Sequence, residues 1–106
     1  MLKPGPAKKV TIHLNEDTSS GRDFLYKEIF QFLLDQGVAG ASLIHPSAGF
    51  GSHHRIHENV AVRIEFIESA EKLNQILPEL FRLTSDGLIE AQDTIILKTI
   101  STGEIL

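Results

Sequence analysis

From Lys8 onward, apolar and polar residues alternate: Val10, Ile12 and Leu14 fall on one side of an extended chain, Thr11, His13 and Asn15 on the other. A period of two is that of a half-buried strand. Glu16 to Gly21 is a polar turn in which Asp17, Ser19 or Ser20 is available to cap a helix. The period then changes. Leu25, Ile29, Phe32 and Leu33 recur at helical spacing and predict a helix over 22–36, with Gly37 placed to end it in a left-handed conformation. Tyr26, Phe30 and Leu34 widen the apolar arc beyond what one sheet contact requires.

A short strand over 39–45 stops at Pro46, and a polar loop follows over 47–58. The next strand, 59–67, alternates Val60, Val62, Ile64 and Phe66 with Ala61, Arg63 and Glu65. Ser69 is suited to cap a second helix, with Glu71 near its positive end. Leu73, Ile76, Leu77, Leu80 and Phe81 form its apolar stripe. Pro78 lies inside the stripe and cannot donate to the Asn74 carbonyl, which predicts a kink or a broken turn. Asp86-Gly87 ends the helix, and β-branched residues over 94–100 predict a last strand. Residues 1–7, with Pro4-Gly5-Pro6, read as a flexible leader, and 8–106 as a single domain.

The order strand-helix-strand-strand-helix-strand is that of an α+β, ferredoxin-like βαββαβ fold with a four-stranded antiparallel sheet and a long loop between strands two and three. Both helices then lie on one face. His13, Thr11, Arg63 and Glu65 fall on the other, an amphipathic surface that assembly into a symmetric homo-oligomer would cover.

Composition narrows the function. A chain of 106 residues, 42% hydrophobic and 23% charged, has the make-up of one ordinary globular domain. A net charge of −4 argues against a dedicated nucleic-acid binder. Cysteine is absent, which excludes disulfides, thiolate catalysis and cysteine-based zinc sites. No apolar run has the length of a membrane span and no signal-peptide core is evident, so the expectation is a cytoplasmic protein that is not membrane-embedded.

The candidate chemistry is concentrated in Gly49-Phe50-Gly51-Ser52-His53-His54-Arg55-Ile56-His57. Paired glycines let a backbone approach a ligand closely, and Phe50 can anchor the loop base. Arg55 suits a phosphate or carboxylate, and His57 adds a hydrogen-bonding partner. His53, His54 and His57 are an alternative metal-ligand set, but three loop histidines around an arginine lack a firm scaffold. No nucleophile, base and orienting acid are evidently aligned, and Glu16, Asp17, Glu90 and Asp93 read as scattered surface charges, so no enzyme is expected. His13, mid-strand, reads as a histidine satisfied by hydrogen bonds, and His45 as a strand-end residue.

Gly37-Val38-Ala39-Gly40-Ala41-Ser42, Gly49-Phe50-Gly51, Arg55-Ile56-His57, Leu77-Pro78 and Gly87-Leu88-Ile89 occur in this order, and together they resemble the bacterial and archaeal family called domain of unknown function 190. The resemblance runs from about Lys9 to Leu97. That family is grouped with the PII-like signal proteins, which implies ferredoxin-like subunits, a homotrimer, and a regulatory loop between the second and third strands. PII proteins bind adenine nucleotides in a subunit cleft, at a Gly-Phe-Gly loop base and at a second turn after the second helix, where Gly87 stands here. The chain departs from the PII pattern in having Ser52-His53 after the glycines and an acid, with no base, in Thr84-Ser85-Asp86-Gly87. Its one tyrosine is Tyr26 in the first helix, so the modifiable loop tyrosine of some PII proteins has no counterpart.

The resulting expectation is a regulatory protein that binds a small anionic ligand, an adenine nucleotide among the candidates, through Gly49, Phe50, Gly51, Arg55 and His57. Ligand binding would order the loop and alter affinity for a partner, with a membrane transporter or channel implied by the resemblance. No cofactor is assigned. The alternatives are a metal-responsive trimer using His53, His54 and His57, a ligand-free structural adaptor, and a small hydrolase.

Overall fold

The computed structural model describes residues 2–15, 18, 23–45 and 61–99. Six elements follow the expected order: β1 (Gly5–Asn15), α1 (Leu25–Asp35), β2 (Ala41–Ile44), β3 (Ala61–Glu68), α2 (Ala70–Leu83) and β4 (Leu88–Ile96). The sheet order is β2-β3-β1-β4 with every neighbouring pair antiparallel. This is the split βαβ arrangement that the alternating periods predict.

Cross-strand register sorts the side chains. Val10, Ile12 and Leu14 lie opposite Phe66, Ile64 and Val62, and all six are buried with Leu25, Ile29 and Leu33 of α1 and Leu73, Ile76 and Leu80 of α2. Thr11 lies opposite Glu65 and His13 opposite Arg63, and these residues are half-buried on the face away from the helices. One sheet face therefore supplies the core and the other stays amphipathic, as the alternation implies.

Two strand boundaries differ from the sequence expectation. β1 takes in Gly5, Pro6 and Ala7, assigned above to the leader, and pairs them with Ile96, Ile95 and Thr94. Pairing with β3 begins only at Lys8, so proline, which lacks a donor, stands where the strand has a single neighbour. β4 begins at Leu88, directly after Gly87, and ends at Ile96, whereas 94–100 was expected. Glu90, Gln92 and Asp93 mask this strand in the sequence, because an outermost strand needs no continuous apolar side.

Lys8 and Asp93, opposite each other in the β1–β4 register, form an ion pair. The lysine holds the exposed Asp93 carboxyl below the ordinary carboxylate range, through its hydrogen bond first and its charge second. A depressed folded-state value means that the pairing is present above the unfolded carboxyl's range and lost as pH falls through the folded value. In an NMR acid titration, Asp93 protonates at lower pH than a free aspartate, and Lys8→Ala moves it back up. An Asp93 midpoint that Lys8→Ala leaves in place would refute the pairing.

The helices are bounded by local chemistry. At the start of α1 the Leu25 N–H donates to the Thr18 carbonyl at 2.7 Å, and Phe24 caps without a side-chain hydrogen bond. Asp17, Ser19 and Ser20, the expected caps, lie outside the described residues. Gly37 adopts φ +75° and closes the other end, with its N–H on Leu34 and that of Val38 on Leu33. α2 opens on Ser69, whose Oγ accepts from the Lys72 N–H at 3.1 Å. Ser69→Ala is expected to cost about 1 kcal/mol in urea unfolding, as for other serine caps. Restoration by Ser69→Asp would separate a capping role from lost packing.

Pro78 does not break α2, which is continuous from Ala70 to Leu83. Asn74 is exposed, so water can reach the carbonyl that lacks its helical donor. Phe81, expected in the apolar stripe, is 59% exposed, while Leu73, Ile76 and Leu80 are buried. No described helix is long and apolar enough to cross a membrane.

Candidate functional site

Strand direction brings three connections to one end of the sheet. β1 leaves there at Asn15 towards α1; β2 leaves at Ile44 and β3 returns at Ala61; α2 ends there and β4 begins at Leu88. One row of the register spans all four strands at this end: Ile44 opposite Arg63, Arg63 opposite His13, His13 opposite Leu88. The chain therefore leaves β2 towards the candidate loop at the same sheet end as the turn after α2. Gly49, Phe50, Gly51, Arg55 and His57, and the alternative metal set His53, His54 and His57, lie outside the described residues.

Gly87, the expected contributor from the second turn, is described. It has φ +146°, and a Cβ built on it would lie 2.5 Å from the His13 carbonyl oxygen and 2.8 Å from Leu14 Cδ2. Only glycine lets this turn sit so close to β1. The preceding residues hold the turn from the helix side: Thr84 Oγ1 donates to the Leu80 carbonyl at 2.8 Å, and the Ser85 N–H donates to that of Leu83.

Among the described residues, several charged side chains at this end stand next to one of opposite sign. His13 Nε2 is 3.0 Å from Glu90 Oε2, across the β1–β4 pair on the open face. Arg63 Nε is 3.7 Å from Glu65 Oε2, and Lys27 Nζ is 4.0 Å from Asp23 Oδ1. Arg82, in the last turn of α2, forms a two-pronged pair with Glu79 that holds the Glu79 carboxyl below its ordinary range, chiefly by hydrogen bonding. His13 is thus a hydrogen-bonded strand histidine, as its position in the sequence implies. Glu90 and Asp93 do not form an acid–base pair: one faces His13 on the open face, the other Lys8 on the helix side. Among the described residues, no three His, Asp or Glu side chains converge as a metal ion would require.

Two cavities adjoin the short strand β2. One, of ≈ 360 Å³, opens beside its start and is lined by Lys9, Gly40, Ser42, Glu65 and Ile67 among others. Lys9, Ser42, Glu65 and Ile67 point to the open face, so the cavity combines that face with the exposed side of β2. Sequence reading missed it, because its lining comes from three strands and a turn. The other, of ≈ 350 Å³, is an apolar groove between α1 and β2. Tyr26, Phe30 and Leu34 line it, which accounts for the widened apolar arc of α1; Leu34 is 71% exposed.

A family model, DUF190 (Uncharacterized ACR), matches residues 7–96. A UPF0166 protein of Methanocaldococcus jannaschii is 30% identical over 95 residues, covering 82% of this chain and 88% of its own. Among solved structures, CPII, a nitrogen regulatory PII-like protein from Thiomonas intermedia K12 bound to ADP, AMP and bicarbonate, is similar at TM-score 0.58 and 26% identity, covering 90% of this chain and 99% of that one. The GlnK–ATP complex of B. subtilis is similar at TM-score 0.52 and 15% identity, covering 88% of this chain and 85% of that one.

Proposed function

As the chain belongs to the DUF190 family and has the PII-like ferredoxin fold, we propose that it is a regulatory protein that binds an adenine nucleotide and signals its occupancy through the 47–58 loop. The observation that carries this reading is the likeness, over nearly the whole chain, to a PII-like protein bound to ADP, AMP and bicarbonate. One local feature supports it: the row that joins Ile44, Arg63, His13 and Leu88 ties the departure of the loop to the Gly87 turn.

In this reading Gly49 and Gly51 bring backbone close to the ligand, Phe50 anchors the loop base, Arg55 meets the anionic group and His57 assists it. Gly87 shapes the second wall. The protein is a homotrimer in the cytoplasm, with its amphipathic sheet face covered by neighbouring copies, and it acts on a partner without catalysing a reaction. The partner reads the loop, and a membrane transporter or channel is the class proposed. Ligand controls partner affinity only to the extent that it binds the two loop states differently.

Calorimetry against AMP, ADP, ATP and bicarbonate tests the proposal, with sedimentation analysis of the same sample. Saturable binding of at least one adenine nucleotide to a trimer is expected, weakened about tenfold or more by Arg55→Ala, the scale of one charge-assisted contact. No binding by any nucleotide, with or without bicarbonate, would remove this reading.

A further inference from the structure

The apolar groove between α1 and β2 lies along one edge of the sheet. Tyr26, Phe30 and Leu34 form its helix wall, and Val38, Ala39 and Ala41 line it from the β2 side. Leu34 is 71% exposed. A single exposed leucine is ordinary, but one set in a concave apolar strip offers cover to side chains of a partner.

The other edge of the sheet carries the matching feature. Ile95 and Leu97, 68% and 88% exposed, stand two positions apart at the end of β4. That spacing places side chains on one side of an extended chain. Ile95 lies opposite Pro6, itself exposed, so its own sheet gives it little cover.

Direction and length bring the two features together between copies. β2 and β4 run in opposite directions, so β4 of one copy set against the outer edge of β2 of another continues the antiparallel pairing. Ile44 and Leu88 stand in one row, and from that row β2 runs four residues and β4 nine. The surplus of β4 passes the start of β2, where Leu34 and Val38 line the groove. Charge agrees with this placement. Lys98 follows Leu97, and α1 ends in Asp35 with no basic residue in its last turn, the helix end that favours a cation.

We propose that the α1–β2 groove receives the end of β4 from a second copy, with Ile95 and Leu97 covered by Tyr26, Phe30, Leu34 and Val38, and Lys98 beside Asp35. This contact presupposes the homotrimer proposed above and assigns the surfaces that hold it together.

Because the chain has no cysteine, an introduced disulfide reports the contact without background. Leu34→Cys is combined in one chain with Ile95→Cys or with Leu97→Cys, and the assembled protein is oxidised and run on a denaturing gel. Leu34 beside β2 and the end of β4 belong to opposite edges of a four-stranded sheet, beyond the reach of a disulfide within one copy. A covalent trimer is expected in at least one double variant and in none of the single variants. Leu34→Asp and Leu97→Asp, each at an exposed position, should weaken assembly about tenfold or more in sedimentation analysis, by placing a charge in an apolar contact. Phe81→Asp, at an exposed position on α2, leaves assembly unchanged. A trimer in which neither double variant cross-links beyond the single variants overturns the contact and leaves the homotrimer standing. So does a trimer that Phe81→Asp weakens as far as Leu34→Asp. A chain that sediments as a monomer at every concentration defeats the homotrimer and the contact together, while calorimetry reads nucleotide binding independently of both.

Discussion

Gly87→Ala lowers the free energy of unfolding by about 2–4 kcal/mol, from backbone strain and forced repacking together. The added Cβ would meet the His13 carbonyl at 2.5 Å, a backbone atom that can move only if β1 or the turn moves. At φ +146° the alanine is also in a conformation that L-residues rarely adopt. Urea unfolding measures the effect, read from the midpoint at unchanged slope. Gly40→Ala is the control, since nothing lies within 4 Å of its Cβ position and its φ is not in the left-handed region. It should stay within about 0.5 kcal/mol of wild type. Equal stability of Gly87→Ala and wild type would show that the turn rests on β1 less tightly than described. Because β1 and the turn must part, the same variant should also lose nucleotide affinity if the second wall of the site is as proposed.

Leu80→Ala is expected to cost about 2–5 kcal/mol, whereas Phe81→Ala, one residue on, should cost no more than about 0.5 kcal/mol. Leu80 is fully buried in the core cluster that α1, α2 and the sheet share, so truncation leaves a cavity as well as losing apolar burial. Phe81 is 59% exposed, and most of its ring is in water before the substitution. Thermal and urea unfolding of the two variants side by side decide the matter. A Phe81→Ala cost matching that of Leu80→Ala in the assembled protein would mean that Phe81 is covered by a neighbouring copy.

That pair of residues also marks how far the sequence was informative. Helical spacing places both in one stripe, but a stripe wide enough for five residues exceeds what the narrow side of a four-stranded sheet can cover. β1 and β3 were legible because they are central and half-buried, which enforces strict alternation over Val10–Leu14 and Val62–Phe66. β4 was misplaced by about six residues at its start, because its backbone pairing with β1 holds it without an apolar pattern. The leader boundary shifted for the same reason: Pro6 deters a strand assignment unless it is known that only one neighbour is present. Of the candidate site, Gly87 could be suspected from Asp86-Gly87 alone, but its contact with the His13 carbonyl is a relation across 74 positions of sequence that no local pattern carries. The β2-side cavity was invisible for the same cause, being the product of register.

The strand order has a consequence for symmetry. The sheet ends on one side in β2, of four residues, and on the other in β4, of nine. Joining one to the other between copies is head to tail, and such a contact cannot be its own mate about a two-fold axis. It either closes into a ring or propagates as a fibre. Ile95 and Leu97, 68% and 88% exposed at the end of β4, are apolar residues that such a contact could cover. In the proposed homotrimer, ring closure would do more than build clefts: it would cover both outer strands of the described sheet at once, and with them the route to unlimited polymerisation.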